Sequence, residues 1–431
     1  MIKTLKNAWA IEDLRKKMLF TLLIIALYRI GSAIVVPFVN SSELYSYFSQ
    51  AGDNIFTYMN ILGGEAFSKG TLFALGIYPY ITASIIIQLL QVAIPTLERW
   101  AKEGGEEGRK KIERLTRYTT VGLALIQGWA YYTYLNANSL LTDGAQSNFF
   151  AAVVIILSLT AGASITMWLG EKINEKGIGN GISMLLFAGI VASLPSMFNS
   201  ILNVLDFGTV WGWLGLVLTV AVVLISVGFI VFVTEAERRI PVQYAKRVVG
   251  RKVYGGQSSN LPIKVNMAGV MPVIFASTMV MLPQTIIGFF GQPPEGSVRE
   301  WIINNLGMSS VAGAILYLVL ILAFSYFYVA ISFNPVEVSN NIRKNGGFIL
   351  GIRPGKPTSD YISRILNKIT FMGALFLGIV AIVPILLAVA IPTLHISLSG
   401  TSVLIVVGVA LETVRDLEAQ MMMRHYKGFL D

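Results

Sequence analysis

Few residues in this chain could do covalent chemistry. His395 and His425 are the only histidines, and there is no cysteine. A histidine metal site or a histidine-based triad needs such groups to converge. The topology argued below places the two histidines on opposite faces of a membrane, so they cannot meet within one chain. Without cysteine there are no disulfides and no thiol chemistry in the chain. The stretch Gly177-Ile-Gly-Asn-Gly181 has the look of a phosphate loop, but no strand precedes it and no Walker sequence occurs anywhere. A tight entry into a helix explains it better. The chain is therefore not read as an enzyme and needs no cofactor or metal. If it performs work, a partner supplies the energy.

Ionisable groups near the middle of a membrane mark proton-coupled carriers. Arg29 is the one charged residue in the apolar runs of this chain; their polar residues, such as Gln88, Gln127 and Asn180, are uncharged. That disfavours a proton-coupled carrier and leaves a sodium-coupled one open.

The elements that position these residues are apolar runs at about 18–36, 72–94, 118–135, 149–169, 178–201, 211–233, 267–290, 311–333, 369–391 and 398–411. Most reach the roughly 20 residues that a helix needs to cross hydrocarbon. The last is the shortest. With the N-terminus in the cytoplasm, thirty of the 33 lysines and arginines fall on the cytoplasmic side. Positive charge near span ends resists translocation, so this is the expected orientation, with both termini inside. Were the tenth run not to cross, Arg424 and Lys427 would lie outside, against that rule. The composition agrees: 54% of residues are hydrophobic and only 13% charged, against about a quarter charged in soluble domains. The net charge of +9 suits contact with anionic lipid or an acidic surface. A charged lead precedes the first run and no small-residue cleavage site follows it, so a cleaved signal peptide is not expected.

Two long basic excursions interrupt the cytoplasmic side, at 235–266 and 334–368. In the first, Ile240, Val242 and Tyr244 and then Val248, Val249, Val253 and Tyr254 alternate with polar residues around Gly255–Gly256, which predicts a protruding β-hairpin. The second opens on Asn-Pro and reads as a turn-rich loop. Loops this long are uncommon unless they serve a function. Between Pro37 and Leu72, the piece 55–62 is too short to span and is bounded by glycines. It predicts a short helix on the outer side, folded back and enclosed by protein.

Five motifs carry a resemblance. Leu75-Gly-Ile-Tyr-Pro-Tyr-Ile-Thr-Ala-Ser-Ile-Ile-Ile-Gln-Leu-Leu90, Gly177-Ile-Gly-Asn-Gly-Ile-Ser183, Val265-Asn-Met-Ala-Gly-Val-Met-Pro272, Gly351-Ile-Arg-Pro-Gly355 and Gly400-Thr-Ser402 resemble, in order and spacing, those of the SecY/Sec61-alpha family. Ser399 stands where that family has the first glycine of Gly-Gly-Thr-Ser, and Leu186 where isoleucine is common. The resemblance implies an all-α integral membrane protein. Ten transmembrane helices would form two five-helix halves, 1–200 and 201–431, related by an inverted pseudo-two-fold. It implies a protein-conducting channel of the bacterial inner membrane, passive and driven by a motor or ribosome. By alignment of these motifs the pore ring falls on Ile77, Ile81, Ile182, Leu186, Ile274 and Ile405. Such a ring gates by excluding water. A plug at about 58–70 would use Tyr58, Asn60, Leu62, Gly63, Gly64 and Phe67. A lateral gate for signal sequences and membrane segments would use Thr82, Gln88, Asn180, Ser277 and Leu282. Arg238, Arg239, Lys246, Arg247, Arg251 and Arg353 would meet the SecA ATPase or the ribosome. SecE and SecG would be companion subunits, and nascent polypeptides the cargo.

Overall fold

Apolar sequence becomes helix almost throughout, and the interruptions are what shape the protein. The computed structural model describes the whole chain except residues 1, 51–59, 143, 147, 205–209, 245–246, 250–251, 255–257, 290–295, 308–309, 391–399 and 428–431. An amphipathic helix α1 (Ile2–Ala10) leads into α2 (Glu12–Gly31), and α3 (Ser41–Gln50) follows. Then come α4 (Tyr78–Ala93), α5 (Pro95–Lys102), α6 (Gly105–Ala137), α7 (Phe149–Lys176), α8 (Gly181–Val204) and α9 (Val210–Glu235). Four strands, β1 (Glu237–Tyr244), β2 (Arg247–Val249), β3 (Lys252–Tyr254) and β4 (Ser258–Lys264), separate these from α10 (Met271–Phe289), α11 (Val298–Leu306) and α12 (Val311–Ser332). The chain continues through α13 (Pro335–Lys344), β5 (Gly347–Ile349), α14 (Lys356–Ala390) and α15 (Gly400–Lys427).

Helix starts follow local chemistry. Asn148 caps α7 by accepting from the Phe150 amide at 3.0 Å, and Ser310 caps α12 by accepting from that of Gly313 at 3.0 Å. Each satisfies an amide that the first turn leaves without an intrahelical partner. Pro79 lies in the first turn of α4, where a missing N–H costs nothing.

Among the described residues, five helical stretches are long and apolar enough to cross a membrane: Phe149–Lys176, Gly181–Asn199, Gly215–Glu235, Val311–Lys344 and Lys356–Val383. The pair Tyr78–Ala93 and Pro95–Lys102, bent by 101°, makes up to six. Several of the ten expected runs fall short of that test. Helix α2 opens on Glu12, Asp13, Arg15, Lys16 and Lys17, the uncharged part of α6 is diluted by threonines, tyrosines and Gln127, and the apolar stretch Met271–Ile287 of α10 is short, with Pro283 inside. The tenth run begins in 391–399, outside the described residues.

Three expectations about boundaries are corrected. The run 72–94 is not one helix. Residues 72–77 form turns, with Gly76 at φ +54°, and α4 begins at Tyr78. Non-helical backbone at that depth must be enclosed by protein. The Leu72 amide donates to the Ile34 carbonyl at 2.7 Å, and Gly162 of α7 leaves just enough room for the Leu72 carbonyl, which a Cβ there would strike. The hairpin is real, with β1 and β4 antiparallel from Glu237↔Lys264 to Gln243↔Ser258. Its reversal lies further out, between β2 and β3 (Val249↔Lys252), and not at Gly255–Gly256. The loop 334–368 is not merely turns. Asn334 caps α13 through Val336 and Glu337, and β5 adds to the same sheet. Helix α14 starts at Lys356, before the apolar run, because Tyr361, Ile362, Ile365, Leu366 and Ile369 repeat at helical spacing.

Candidate functional site

Four places carry functional geometry, and the first is the aliphatic set. Ile77 is the residue just before α4, and the Ile81 amide donates to its carbonyl at 3.0 Å, so the two side chains share one face. Ile182 and Leu186 repeat that spacing on α8. Ile77, Ile81, Leu186, Ile274 and Ile405 are 1–4% exposed. Ile182 is half-buried, and all six lie in one continuous apolar cluster. That cluster draws on α2, α3, α4, α6, α7, α8, α9, α10, α12, α14 and α15, and among the described residues no Asp, Glu, Lys or Arg is fully buried.

The second place is the bed of the segment 60–70. One helical turn at 60–63 is followed by turns, and Gly64 at φ +65° and Glu65 at φ +67° bend the chain. Glycine accepts that conformation freely, whereas a glutamate there is held by its surroundings. The Glu65 amide donates to the Asn60 carbonyl at 2.8 Å, and the Ser68 amide to Asn60 Oδ1 at 2.9 Å. Helix α8 passes beneath with Gly189, where a Cβ would collide with the Leu62 carbonyl. Ser193 Oγ is within reach of the Ile61 carbonyl at 3.3 Å and of the Ile190 carbonyl of its own helix at 2.9 Å. Tyr131 of α6 donates to the Phe67 carbonyl at 2.8 Å and meets the Phe67 ring edge-on at 4.8 Å. The Arg29 guanidinium lies against Gly64. Burial would raise the Glu65 carboxyl. Hydrogen bonds from Lys69 and Ser196 and the charges of Lys69 and Arg29 outweigh it and hold the group below its ordinary range.

The third place is a cavity of about 240 Å³ between α4, α6 and α10. Tyr78 and Thr82, then Gln127 and Ala130, then Thr278 and Leu282 line it. Its walls are apolar apart from a few hydroxyls and amides. The Tyr78 hydroxyl and Gln127 Oε1 are buried without a hydrogen-bond partner.

The fourth is a plate built from the two basic excursions. Strand β1 is the centre of a three-stranded sheet, β4-β1-β5, with Val242↔Ile349 joining the two basic excursions. Ile240, Val242, Ile263, Ile349, Ile362 and Leu366 close a separate apolar cluster beneath it. Arg238, Arg239 and Arg353 stand exposed above. Gly351 at φ +80° and Gly355 at φ +103° bound the turn that carries Arg353. Thr358 Oγ1 donates to the Arg353 carbonyl at 2.9 Å and Ser339 Oγ to that of Gly355 at 2.8 Å, so the turn is fixed while the guanidinium is not.

Residues 71–414 match the SecY family model. A protein translocase subunit SecY of Streptomyces scabiei is 45% identical over 441 residues, covering all of both chains. The chain belongs to the SecY family. Among solved structures, a protein-conducting channel superposes with a TM-score of 0.65 at 21% identity, covering 94% of this chain and 92% of that one. A SecY protein studied for its plug domain gives 0.63, at 21% identity and the same coverage. Sec61 from a canine ribosome–channel complex gives 0.60 at 20% identity, with the same coverage again. The chain thus has the fold of the SecY channels.

Against that fold the expected residues divide. Thr82 and Leu282 line the cavity, and Ser277 lies one turn from Ile274, donating to its carbonyl at 2.8 Å. Gln88 bonds Ser84 on its own helix, and Asn180 caps α8 through the amides of Ile182 and Ser183; neither lines the cavity. Leu62 and Phe67 are buried in the main cluster. Nothing comes within 4 Å of a Cβ built on Gly63. Tyr58, Lys246 and Arg251 lie outside the described residues, and Arg247 is described only by its backbone pairing with Tyr254. Sequence reasoning assigned no role to Tyr78, Gln127, Tyr131, Gly189 or Ser193. A glutamine in the otherwise apolar run 118–135 was the one visible signal. Gly189 and Ser193 are spaced to share a face of α8, but only a structure tells which face.

Proposed function

We propose that this chain is the central subunit of a protein translocation channel in the bacterial inner membrane. It passes unfolded secretory polypeptides across and releases membrane segments sideways into lipid. Ten spans with both termini in the cytoplasm form two halves, 1–200 and 201–431. The observation that carries this reading is the pairing of an uncharged apolar waist with a non-spanning segment, 60–70, seated on Gly189 and held by Ser193 and Tyr131. A water-free aliphatic ring resists ions yet yields to a passing chain. The segment 60–70 is the plug that backs it. The cavity between α4 and α10 is the lateral gate, where an apolar helix can replace lipid-like contacts. Full-length identity to a translocase subunit supports the same function.

The basic plate receives the driving partner, either a SecA-type ATPase or a ribosome. The fold shared with a channel from a ribosome complex supports the second. SecE would clamp the halves and SecG would complete the unit. The test is reconstitution with SecE, SecG and the ATPase in liposomes. A secretory precursor should become protease-protected only with ATP. Uptake of a small solute driven by an ion gradient, with no protected precursor, would overturn the reading.

A further inference from the structure

The ring of Phe67 sits in an aromatic cage that the rest of the protein supplies. Phe67 is fully buried. Tyr131 of α6 meets it edge-on at 4.8 Å and Phe48 of α3 at 5.5 Å. Phe48 in turn stacks on Tyr134 at 6.3 Å, and Tyr47 meets Tyr134 edge-on at 6.4 Å. These separations and angles are ones that aromatic quadrupoles favour. Contacts outside the segment 60–70 tie the cage together. The Tyr47 hydroxyl donates to Asn138 Oδ1 at 3.2 Å, the Asn40 amide to the Leu140 carbonyl at 3.1 Å and the Thr142 amide to the Phe38 carbonyl at 3.0 Å, which fastens α3 to the end of α6.

What the cage holds is generic. It takes one aromatic side chain by its ring, and one main-chain carbonyl, that of Phe67, by the Tyr131 hydroxyl at 2.8 Å. Any extended peptide with an aromatic residue presents both groups. When the plug withdraws, the cage stays with α3 and α6. It is left with a slot of phenylalanine size and a hydroxyl donor without its acceptor, and both are costly to leave empty. The chain that has displaced the plug is the ligand at hand. We propose that the plug is a stand-in for cargo: the cage of Phe48, Tyr131 and Tyr134 that holds Phe67 in the closed channel binds aromatic residues of the emerging polypeptide in the open one. Each such residue resists slipping back until the next stretch is driven through. The proposal rests on the plug reading given above.

The test uses the assembled channel with residues 60–68 deleted, where any role of the cage in holding the plug is silent. A secretory precursor is stalled part-way, with a photo-reactive phenylalanine analogue at successive positions along it. At one register, crosslinks should fall on Phe48, Tyr131 or Tyr134. The return of the stalled chain after ATP is removed is then followed by protease protection. A precursor with phenylalanine at that register should slip back several-fold more slowly than one with serine. Tyr131→Phe, which keeps the ring and loses the donor, should reduce the difference, and Tyr131→Phe combined with Phe48→Leu should abolish it. Crosslinks that miss all three residues at every register overturn the proposal. Equal slipping rates for the two precursors in the channel with its cage intact overturn it as well, whether or not the substituted channels fold. If the deleted channel fails to assemble, the plug reading falls, and the cargo site with it.

Discussion

The proposed waist and the basic plate are built by opposite means. The proposed waist belongs to a large apolar cluster, and on that reading its residues act through what they exclude. The plate rests on a small cluster of its own and presents Arg238, Arg239 and Arg353 to water. In the waist the side chain is fixed by its neighbours. At Arg353 of the plate the backbone is fixed, by two positive-φ glycines and the hydroxyls of Thr358 and Ser339, and the side chain is exposed. A seal needs every group in place before anything arrives, whereas a docking site gains its order from the partner. Polar substitution should therefore be costly in the waist, and charge substitution costly only in the presence of a partner in the plate.

The sharpest way to break that contrast is Ile405→Asn. Ile405 is 1% exposed, so the exchange loses roughly 1.5–3 kcal/mol of apolar burial and adds an amide without a partner. Resting ion conductance in planar bilayers should rise, and signal-sequence selectivity should loosen, with no partner present. Conductance equal to wild type would remove Ile405 from the ring. The matching test of the plate is Arg353→Glu. Expression and subunit assembly should be normal and partner-driven transport into inverted vesicles sharply reduced. Arg353→Lys should be defective as well, since an ammonium cannot reproduce bidentate guanidinium contacts. Full transport by Arg353→Glu at matched protein level would end the docking role. A smaller effect is expected from deleting 60–68. The piece contributes no spanning helix, so the channel should assemble and conduct in brief openings. Failure to assemble would make the segment structural and not a plug.

The same contrast explains what was legible in the sequence. Charge is local, so Arg238, Arg239 and Arg353 announced themselves, and the β1–β4 hairpin followed from alternation. The pairing of Val242 with Ile349 did not, because strand pairing across so long a separation leaves no local trace. Helix α14 was hidden for the opposite reason: Arg364 and Lys368 look like loop charges until Ile362, Ile365 and Leu366 are seen to face the plate's core. An isolated isoleucine in an apolar run reads as lipid-facing or packed, so the proposed waist rests on motif resemblance and not on spacing alone. The plug bed depends on the close approach of Gly189 to the Leu62 carbonyl, a fact of packing that no spacing rule expresses.

The smallest predicted effect tests whether the seal depends on any charge at all. Glu65 is its one carboxylate on the plug, bonded to Lys69 at 2.8 Å and bent into place at positive φ. Its carboxyl lies below the ordinary range when the plug is seated, because the contacts from Lys69, Ser196 and Arg29 outweigh burial. A depressed value in the seated state means that the charged group favours seating. That contribution is complete above the ordinary carboxylate value and is lost as pH falls through the depressed one. The Lys69 partner is 46% exposed, so solvent screening limits the pair to about 1 kcal/mol or less. Resting leak should therefore rise only a few-fold as the outer compartment is acidified below the ordinary carboxylate range. Glu65→Gln should show the raised leak already at neutral pH and no further rise on acidification. A wild-type leak that ignores outer pH, or a Glu65→Gln channel that follows pH as wild type does, would leave the seal purely apolar and make the waist alone responsible for it.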